Sequence, residues 1–332
     1  MAELRKDPTV GRWVVIATER VRRPSDFVRP RSPRREGPCA FCVGHERETP
    51  PEILAYRDPP GAPPDTPGWH VRVVPSKFPI LQPGGEIERR GLDMYDLMNA
   101  IGLHEVVLAA PTHDTSLGRL PAGGVEEVLR ACHERFVALR RHDRFRSITL
   151  LAHHGVESGP VAGHPHLQIV AAPIVPLALA DELDHARTYH DFRERCLFCD
   201  MLRQEVETQL RVVVETPQVV AFAPFASRTP FETWILPRRH SAGFEHADPE
   251  ELRDVARVLH TVLRKLDDAL GDPPHTLVLH SAPSGSGESP SFHWHLELTP
   301  ALSVPGPDEG STFHVNPVPP EDAARFLRDA AP

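Results

Sequence analysis

The sequence of 332 residues has no apolar run approaching membrane-spanning length, and its opening residues, Met1-Ala2-Glu3-Leu4-Arg5-Lys6-Asp7, carry no apolar core of the signal-peptide kind. It also lacks a surplus of positive charge: 37 Lys and Arg against 46 Asp and Glu leave a formal net charge of -9. That balance argues against a nucleic-acid partner held by a broad basic surface, while a small anion held by a few local cations remains open. Cysteine is scarce as well. Of five cysteines, four fall into Cys-x-x-Cys pairs. Such usage suits metal-bound thiolates in a reducing compartment better than a disulfide framework, so a soluble cytoplasmic protein with no membrane partner is expected.

What is present is one pattern, twice. The first copy reads Cys39-Ala40-Phe41-Cys42, then His113, then His164-Pro165-His166-Leu167-Gln168. The second reads Cys196-Leu197-Phe198-Cys199, then His240, then His293-Trp294-His295-Leu296-Glu297. Two thiolates and two imidazoles per copy match a closed tetrahedral zinc site, so two structural zincs are expected, on Cys39, Cys42, His113 and His164 and on Cys196, Cys199, His240 and His293. Side chains on a strand alternate between faces, so His164, His166 and Gln168 share one face, as do His293, His295 and Glu297. With the first His of each set on metal, the second stands free beside it. Its neighbour in the first copy is a neutral amide able to donate to a phosphate oxygen, whereas Glu297 in the second would repel one. The first copy is therefore the candidate for phosphate chemistry.

The length allows two domains of ordinary size, and the repeat divides the chain the same way, near residues 175 to 190. Residues 1–180 are read as the catalytic module and 181–332 as the second. Arg12-Trp13-Val14-Val15-Ile16-Ala17 reads as a buried opening strand, and Val71-Arg72-Val73-Val74 and Glu105-Val106-Val107-Leu108-Ala109 as further strands. Val125, Val128, Leu129, Cys132, Phe136 and Leu139 recur at helical spacing and precede the strand Ser147-Ile148-Thr149-Leu150-Leu151. In the second half Asp248 offers an N-cap, Pro249 a first helical residue and Gly271 a stop, with Leu252, Val255, Leu259, Val262, Leu263 and Leu266 as the buried stripe. Thr276-Leu277-Val278-Leu279 follows as a strand. Both halves thus give strands, a long helix and two more strands, an α+β fold in which each half is an antiparallel sheet with a helix packed on it.

These residues resemble the galactose-1-phosphate uridylyltransferase branch of the histidine triad superfamily, which includes ADP-glucose phosphorylase-like members. The resemblance runs from Arg5-Lys6-Asp7-Pro8 and Gly11-Arg12-Trp13-Val14, through Arg20, Arg23-Pro24 and His164-Pro165-His166-x-Gln168, to Val315-Asn316-Pro317. It implies two tandem histidine-triad modules in a homodimer. It also implies that His166 is a nucleophile that carries a nucleoside monophosphate from a nucleoside diphosphate sugar to a sugar 1-phosphate or phosphate, with Gln168 stabilising charge on the transferred group. By the same resemblance Arg20, Arg23, Ser76, Lys77, His153 and Gly159 would contact substrate, and the two arginines alternatively the partner subunit. The alternative for His153 is structural use, and a lysine in the position of Lys77 is more often a surface residue than a ligand.

Some relatives place a second metal on residues equivalent to Glu182, His280, His293 and His295. The thiolates favour the cysteine set here. The sequence departs from the family in three places: His153-His154-Gly155 stands for an Asn-x-Gly stretch, Val161 for a Ser before the triad, and Ser76 beside Lys77 for an Asn. A hexose-binding Tyr-Glu is not evident near Phe313-His314-Val315-Asn316. The base, the sugar and the acceptor, whether sugar 1-phosphate, phosphate or water, therefore stay open, and a zinc-stabilised nucleotide-binding module without catalysis is the non-enzymatic alternative.

Overall fold

The structure, a computed structural model, describes residues 2–18, 23–28, 39–113, 115–121, 123–155, 163–302 and 314–331. The chain opens with β1 (Glu3–Lys6) and β2 (Trp13–Ile16), an antiparallel pair in which Val14 and Ile16 are fully buried. Next come β3 (Leu54–Arg57), β4 (Trp69–Pro75) and an exposed hairpin of β5 (Arg90–Leu92) and β6 (Tyr95–Leu97). They are followed by β7 (Leu103–Leu108), α1 (Gly124–Leu139), β8 (Ser147–His154) and β9 (His166–Ala172). Two helices, α2 (Leu177–Arg193) and α3 (Leu197–Thr208), lead into β10 (Val212–Glu215), β11 (Val219–Phe222) and β12 (Thr233–Pro237). The helix α4 (Pro249–Leu270), β13 (His275–His280) and β14 (His295–Pro300) complete the second half. Last come β15 (His314–Asn316), which runs parallel to β2, and α5 (Pro320–Asp329).

Ten of these strands form one sheet, in the order β10-β11-β12-β14-β13-β8-β9-β7-β4-β3, with every neighbouring pair antiparallel. The order is the same from either end once β3 is matched with β10, β4 with β11, β7 with β12, β9 with β14 and β8 with β13. At the seam Leu151 of β8 faces Val278 of β13. Leu151 also faces Gln168, and Val278 faces Glu297, the equivalent position of the other half. Equivalent residues thus pair directly, and a local two-fold axis passes between Leu151 and Val278. The duplication read from the cysteines and histidines is present in the backbone.

One face of the sheet carries the main core. α1 and α4 pack side by side on it, and their stripes meet Leu150, Leu167, Ile169, Leu277, Leu279 and Leu296. Both helices follow the sequence pattern. α4 starts where the Asp248 side chain accepts from the Glu250 and Glu251 amides and ends at Gly271 with φ +74°, a left-handed turn that glycine takes without strain. In α1 the stripe residues, Cys132 included, are buried.

On the opposite face the two halves part company. Over the second half α2 and α3 lay Leu179, Ala186, Phe198 and Leu202 against Val220, Phe222, Trp234 and Leu236. Over the first half a smaller cluster of Trp69, Val74, Val106 and Leu108 is topped by Phe41. The stretch around residues 175 to 190, read from sequence as a boundary, is the helix α2. It escapes a periodicity search because it buries only Leu179, Glu182 and Ala186 while leaving Leu177 and Phe192 exposed. No described helix is long and apolar enough to cross a membrane.

Gly102 brings the segment before β7 close to β9. A Cβ there would lie 2.4 Å from the Ala171 carbonyl oxygen and 2.4 Å from Leu81 Cδ1. We expect Gly102→Ala to cost about 1–3 kcal/mol by overpacking. Chemical denaturation checks this; an unchanged midpoint would contradict the packing described.

Candidate functional site

The first Cys-x-x-Cys lies on a loop that runs back over the uncovered half of the sheet. Three contacts seat it: the Val43 amide donates to the Pro111 carbonyl at 2.8 Å, Trp69 Nε1 donates to Glu46 at 2.9 Å, and the Gly44 amide reaches the same carboxylate at 3.1 Å. Burial works against a charge on Glu46, but these donors outweigh it and hold the carboxyl below its usual range. Cys39, Cys42, His113 and His164 converge beneath the loop, their ligand atoms all within 4.8 Å of one another. His113 Nδ1 is 3.1 Å from Cys42 Sγ, and His164 Nδ1 is 3.8 Å from both Cys39 Sγ and Cys42 Sγ. Bond lengths of about 2.3 Å for Zn–S and 2.0–2.1 Å for Zn–N put the ligands of a tetrahedral site about 3.5 Å apart. The residues fit that ion. The remaining nitrogen of His164 donates to the Ala110 carbonyl at 2.8 Å, fixing the ring, and burial lowers its pKa to about 4, which keeps it neutral.

Two residues on, at the start of β9, His166 is 7% exposed. Its Nδ1 lies 2.8 Å from the His164 carbonyl oxygen, to which only an N–H can donate, so the Nε2 lone pair of the neutral ring is free. Burial, with His153 and His104 nearby, pushes its pKa below the ordinary imidazole value. The Phe41 ring packs on it at 5.6 Å between centroids. Gln168 follows on the same face, and its Oε1 is 2.8 Å from Nε2 of His104 on β7. An unprotonated imidazole nitrogen beside an amide donor is an arrangement suited to attack on phosphorus.

The second half repeats the ligand set and loses the free imidazole. Cys196, Cys199, His240 and His293 converge in the same way, with Cys199 Sγ 3.3 Å from His240 Nδ1 and 3.5 Å from His293 Nδ1. His295 occupies the place of His166, again donating from Nδ1 to the carbonyl of the preceding His, at 3.0 Å. Yet its ring has no exposure, enclosed by Phe198, Trp234, His280 and Phe292. A further cluster joins it to Glu182 from α2, His280 and Glu297. His293 therefore groups with the cysteines and not with Glu182, His280 and His295. Arg228 enters this cluster and contacts Glu297 at 2.6 Å and Glu232 at 2.8 Å. Burial opposes the His280 charge, but Glu182 and Glu297 prevail and raise its pKa to about 9.

The other residues singled out from sequence are scattered. His153 lies on the same face as Gln168, exposed, with Nδ1 3.2 Å from Thr276 Oγ1. Ser76 and Lys77 follow β4 at the rim; the Ser76 amide donates to the His104 carbonyl, and Lys77 Nζ reaches the Glu48 carbonyl at 3.3 Å. Arg23 is not brought to His166: it precedes a short turn, Pro24–Asp26, that packs on α4 across the sheet. Arg20, Gly159, Val161 and Phe313 lie outside the described residues. His104 was missed, because a histidine two places before Val106 gains meaning only once the strand register sets it beside Gln168.

Comparisons with known proteins follow the same lines. A family model described as galactose-1-phosphate uridyl transferase, C-terminal domain, matches residues 182–302. An ADP-glucose phosphorylase from Arabidopsis thaliana is 32% identical over 338 residues, covering 99% of this chain and 93% of that protein. A galactose-1-phosphate uridylyltransferase from Thermotoga maritima is 29% identical over 341 residues, 99% of this chain and 98% of its own. The crystal structure of the Arabidopsis thaliana ADP-glucose phosphorylase with bound ADP-glucose superposes over 100% of both chains with a TM-score of 0.82.

The charge balance around Arg228 is open to test. Arg228→Met leaves Glu232 and Glu297 buried without their cation, and we expect a loss of about 3–5 kcal/mol, recovered in part by Glu297→Gln. His280 adds a pH signature. Its raised pKa means its contribution to stability is fully present below pH 6.5 and is lost as pH rises through about 9. Denaturation midpoints from neutral to about pH 10 should fall more steeply for the wild type than for His280→Gln, and parallel curves would count against the assignment.

Proposed function

This chain belongs to the galactose-1-phosphate uridylyltransferase family, which includes ADP-glucose phosphorylases, and from that premise we propose that it moves a nucleoside monophosphate through a covalent intermediate on His166. The observation that carries the reading is the contrast between two equivalent rings. His166 keeps an unprotonated Nε2 on the face that α2 and α3 leave uncovered, whereas His295 is enclosed among carboxylates and aromatic rings.

In the first step Nε2 of His166 attacks the α-phosphorus of a nucleoside diphosphate sugar. The P–N bond forms as the bond from that phosphorus to the bridging oxygen breaks, and the sugar 1-phosphate leaves with the electron pair. In the second, a phosphate oxygen of the acceptor attacks the same phosphorus, the P–N bond breaks, and the neutral imidazole returns. Gln168 donates to the transferred phosphate throughout. The acceptor in this reading is a sugar 1-phosphate. A second reading, with orthophosphate as acceptor, is favoured by the similarity to the ADP-glucose phosphorylase of Arabidopsis thaliana.

Zinc would be held by Cys39, Cys42, His113 and His164 and by Cys196, Cys199, His240 and His293, where it would supply folding energy, the first ion also fixing the loop and the strand start beside His166. Residues 1–180 form the reacting module and 181–332 the second, structural one. Substrate contact is assigned to Ser76, Lys77, His153 and Gly159 on the family resemblance, with Ser76, Lys77 and His153 on or beside the sheet that carries His166. Arg20 and Arg23 act on phosphate from a second copy of the chain, since Arg23 lies on the helix side of its own sheet.

His166→Asn should abolish adduct formation and transfer, a loss of at least about a thousandfold, with two zincs retained. Cys39→Ser should lower the zinc content by one ion and destabilise the protein. Intact-mass spectrometry with UDP-, ADP- and GDP-sugars, alongside metal analysis of the same preparations, checks both; turnover by His166→Asn would remove the mechanism. Discharge of the adduct by orthophosphate but not by sugar 1-phosphates would select the second reading.

A further inference from the structure

His104 stands on β7 between the rim segment that follows β4 and Gln168, and it is 9% exposed. In the sheet register it faces Val170, while Val106 faces Gln168, so His104 and Gln168 are diagonal neighbours on one face. Its ring makes two hydrogen bonds of opposite sense. Nδ1 accepts from the Ile80 amide at 3.4 Å, and Nε2 lies 2.8 Å from Gln168 Oε1. A backbone N–H can only donate, so Nδ1 is the acceptor and the proton of the neutral ring sits on Nε2. From there it is given to the Gln168 oxygen.

The consequence is a fixed amide. A glutamine carboxamide can present its oxygen or its NH2 group by a half-turn, and the two faces have opposite effects on a phosphate. With the oxygen taken by His104, the two amide hydrogens of Gln168 point away from it, and no described residue takes them up. The neighbour in that direction along β9 is His166.

We propose that His104 is a positioning residue for nucleotidyl transfer: it locks the Gln168 amide with its hydrogens toward the phosphate carried by His166, and through Ile80 it ties that orientation to the rim segment. The inference rests on the reading that His166 and Gln168 handle the transferred phosphate. Without the lock the amide divides its time between a donor face and an acceptor face, and the acceptor face meets a phosphate oxygen with like charge.

Two substitutions separate this role from packing. Gln places a nitrogen donor near the position of imidazole Nε2, and Asn places an acceptor near Nδ1. His104→Gln therefore keeps the bond to Gln168, and His104→Asn keeps only the bond to Ile80. The measurement is the single-turnover rate constant for adduct formation on His166, with ADP-glucose and UDP-glucose as probes. A rate constant, unlike an amplitude, is not imitated by a partly unfolded preparation. We expect His104→Asn to slow the step about 10- to 100-fold with substrate affinity little changed, and His104→Gln to restore the rate to within a few-fold of wild type. In a Gln168→Ala background His104→Asn should add nothing further, because the group it orients is gone.

Equal slowing by Asn and Gln, or a penalty that persists without Gln168, would show His104 to be a packing residue and overturn the proposal. So would a wild-type rate in His104→Asn while the wild type forms adduct normally, an outcome that leaves the role of His166 intact. A wild type that forms no adduct with any nucleotide sugar removes the underlying reading and this inference together.

Discussion

The backbone ladder between β8 and β13, with Leu151 opposite Val278, sets two copies of one strand arrangement edge to edge. Much follows from that pairing. Each copy's innermost strand is paired on both sides, so neither half leaves an open edge at the centre of the molecule. The two His-x-His strands, β9 and β14, come to lie one strand away on either side of the seam, with their histidines on the same face. α1 and α4 are thereby brought side by side on the other face, where their stripes close one continuous core. A symmetric frame offers two equivalent places for chemistry. What the chain builds on the frame then decides between them.

The decision is made by covering and by charge. α2 and α3 lie over the second half and bury its strand face, and Glu182 enters with α2. Carboxylates without partners would not remain ionised there, and the cluster answers with Arg228 and a raised His280. A phosphate approaching His295 would meet Glu297 and Glu182, each about 3.9 Å from the ring nitrogen. At the equivalent place in the first half stand Gln168 and, on the neighbouring strand, His104, hydrogen-bonded to each other. The two halves thus differ in covering and in charge on this face while keeping the same Cys-Cys-His-His quartet.

The readable parts of this protein are those where local pattern and tertiary role coincide. The stripe, the Asp248 cap and Gly271 mark α4 because the same residues meet the core and end the helix. The duplicated ligand sets were legible because their spacing survives in both copies, and the structure gathers all eight residues into two quartets. α2 was not legible, since its buried side is one Leu, one Glu and one Ala, a combination whose meaning depends on the charge cluster it completes. Arg228 and His104 escaped notice for a related reason. One is drawn to Glu297 across 69 positions of sequence and the other to Gln168 across 64, and no local rule relates them. Arg23 was singled out by the family resemblance, and its place on the helix side of its own sheet follows from the turn at Pro24–Asp26 packing on α4, a contact no local pattern announces.

His164 joins two kinds of order on the face that α2 and α3 leave uncovered. Its ring belongs to the ligand quartet and is fixed by the Ala110 carbonyl, while its own carbonyl receives the Nδ1 proton of His166. Whatever holds the quartet together therefore also sets the tautomer of the next imidazole, at a distance of two residues. A ring whose Nδ1 lost that acceptor would place its proton on either nitrogen, and only one of the two forms has a lone pair facing outward. The second copy preserves the same bond, from His295 to the His293 carbonyl, inside an enclosed cluster. Tautomer control is thus a property of the duplicated frame, and access is what differs between its copies. The helices laid over the second half, and not any change in the quartets, are therefore what set the surroundings of His295 apart from those of His166.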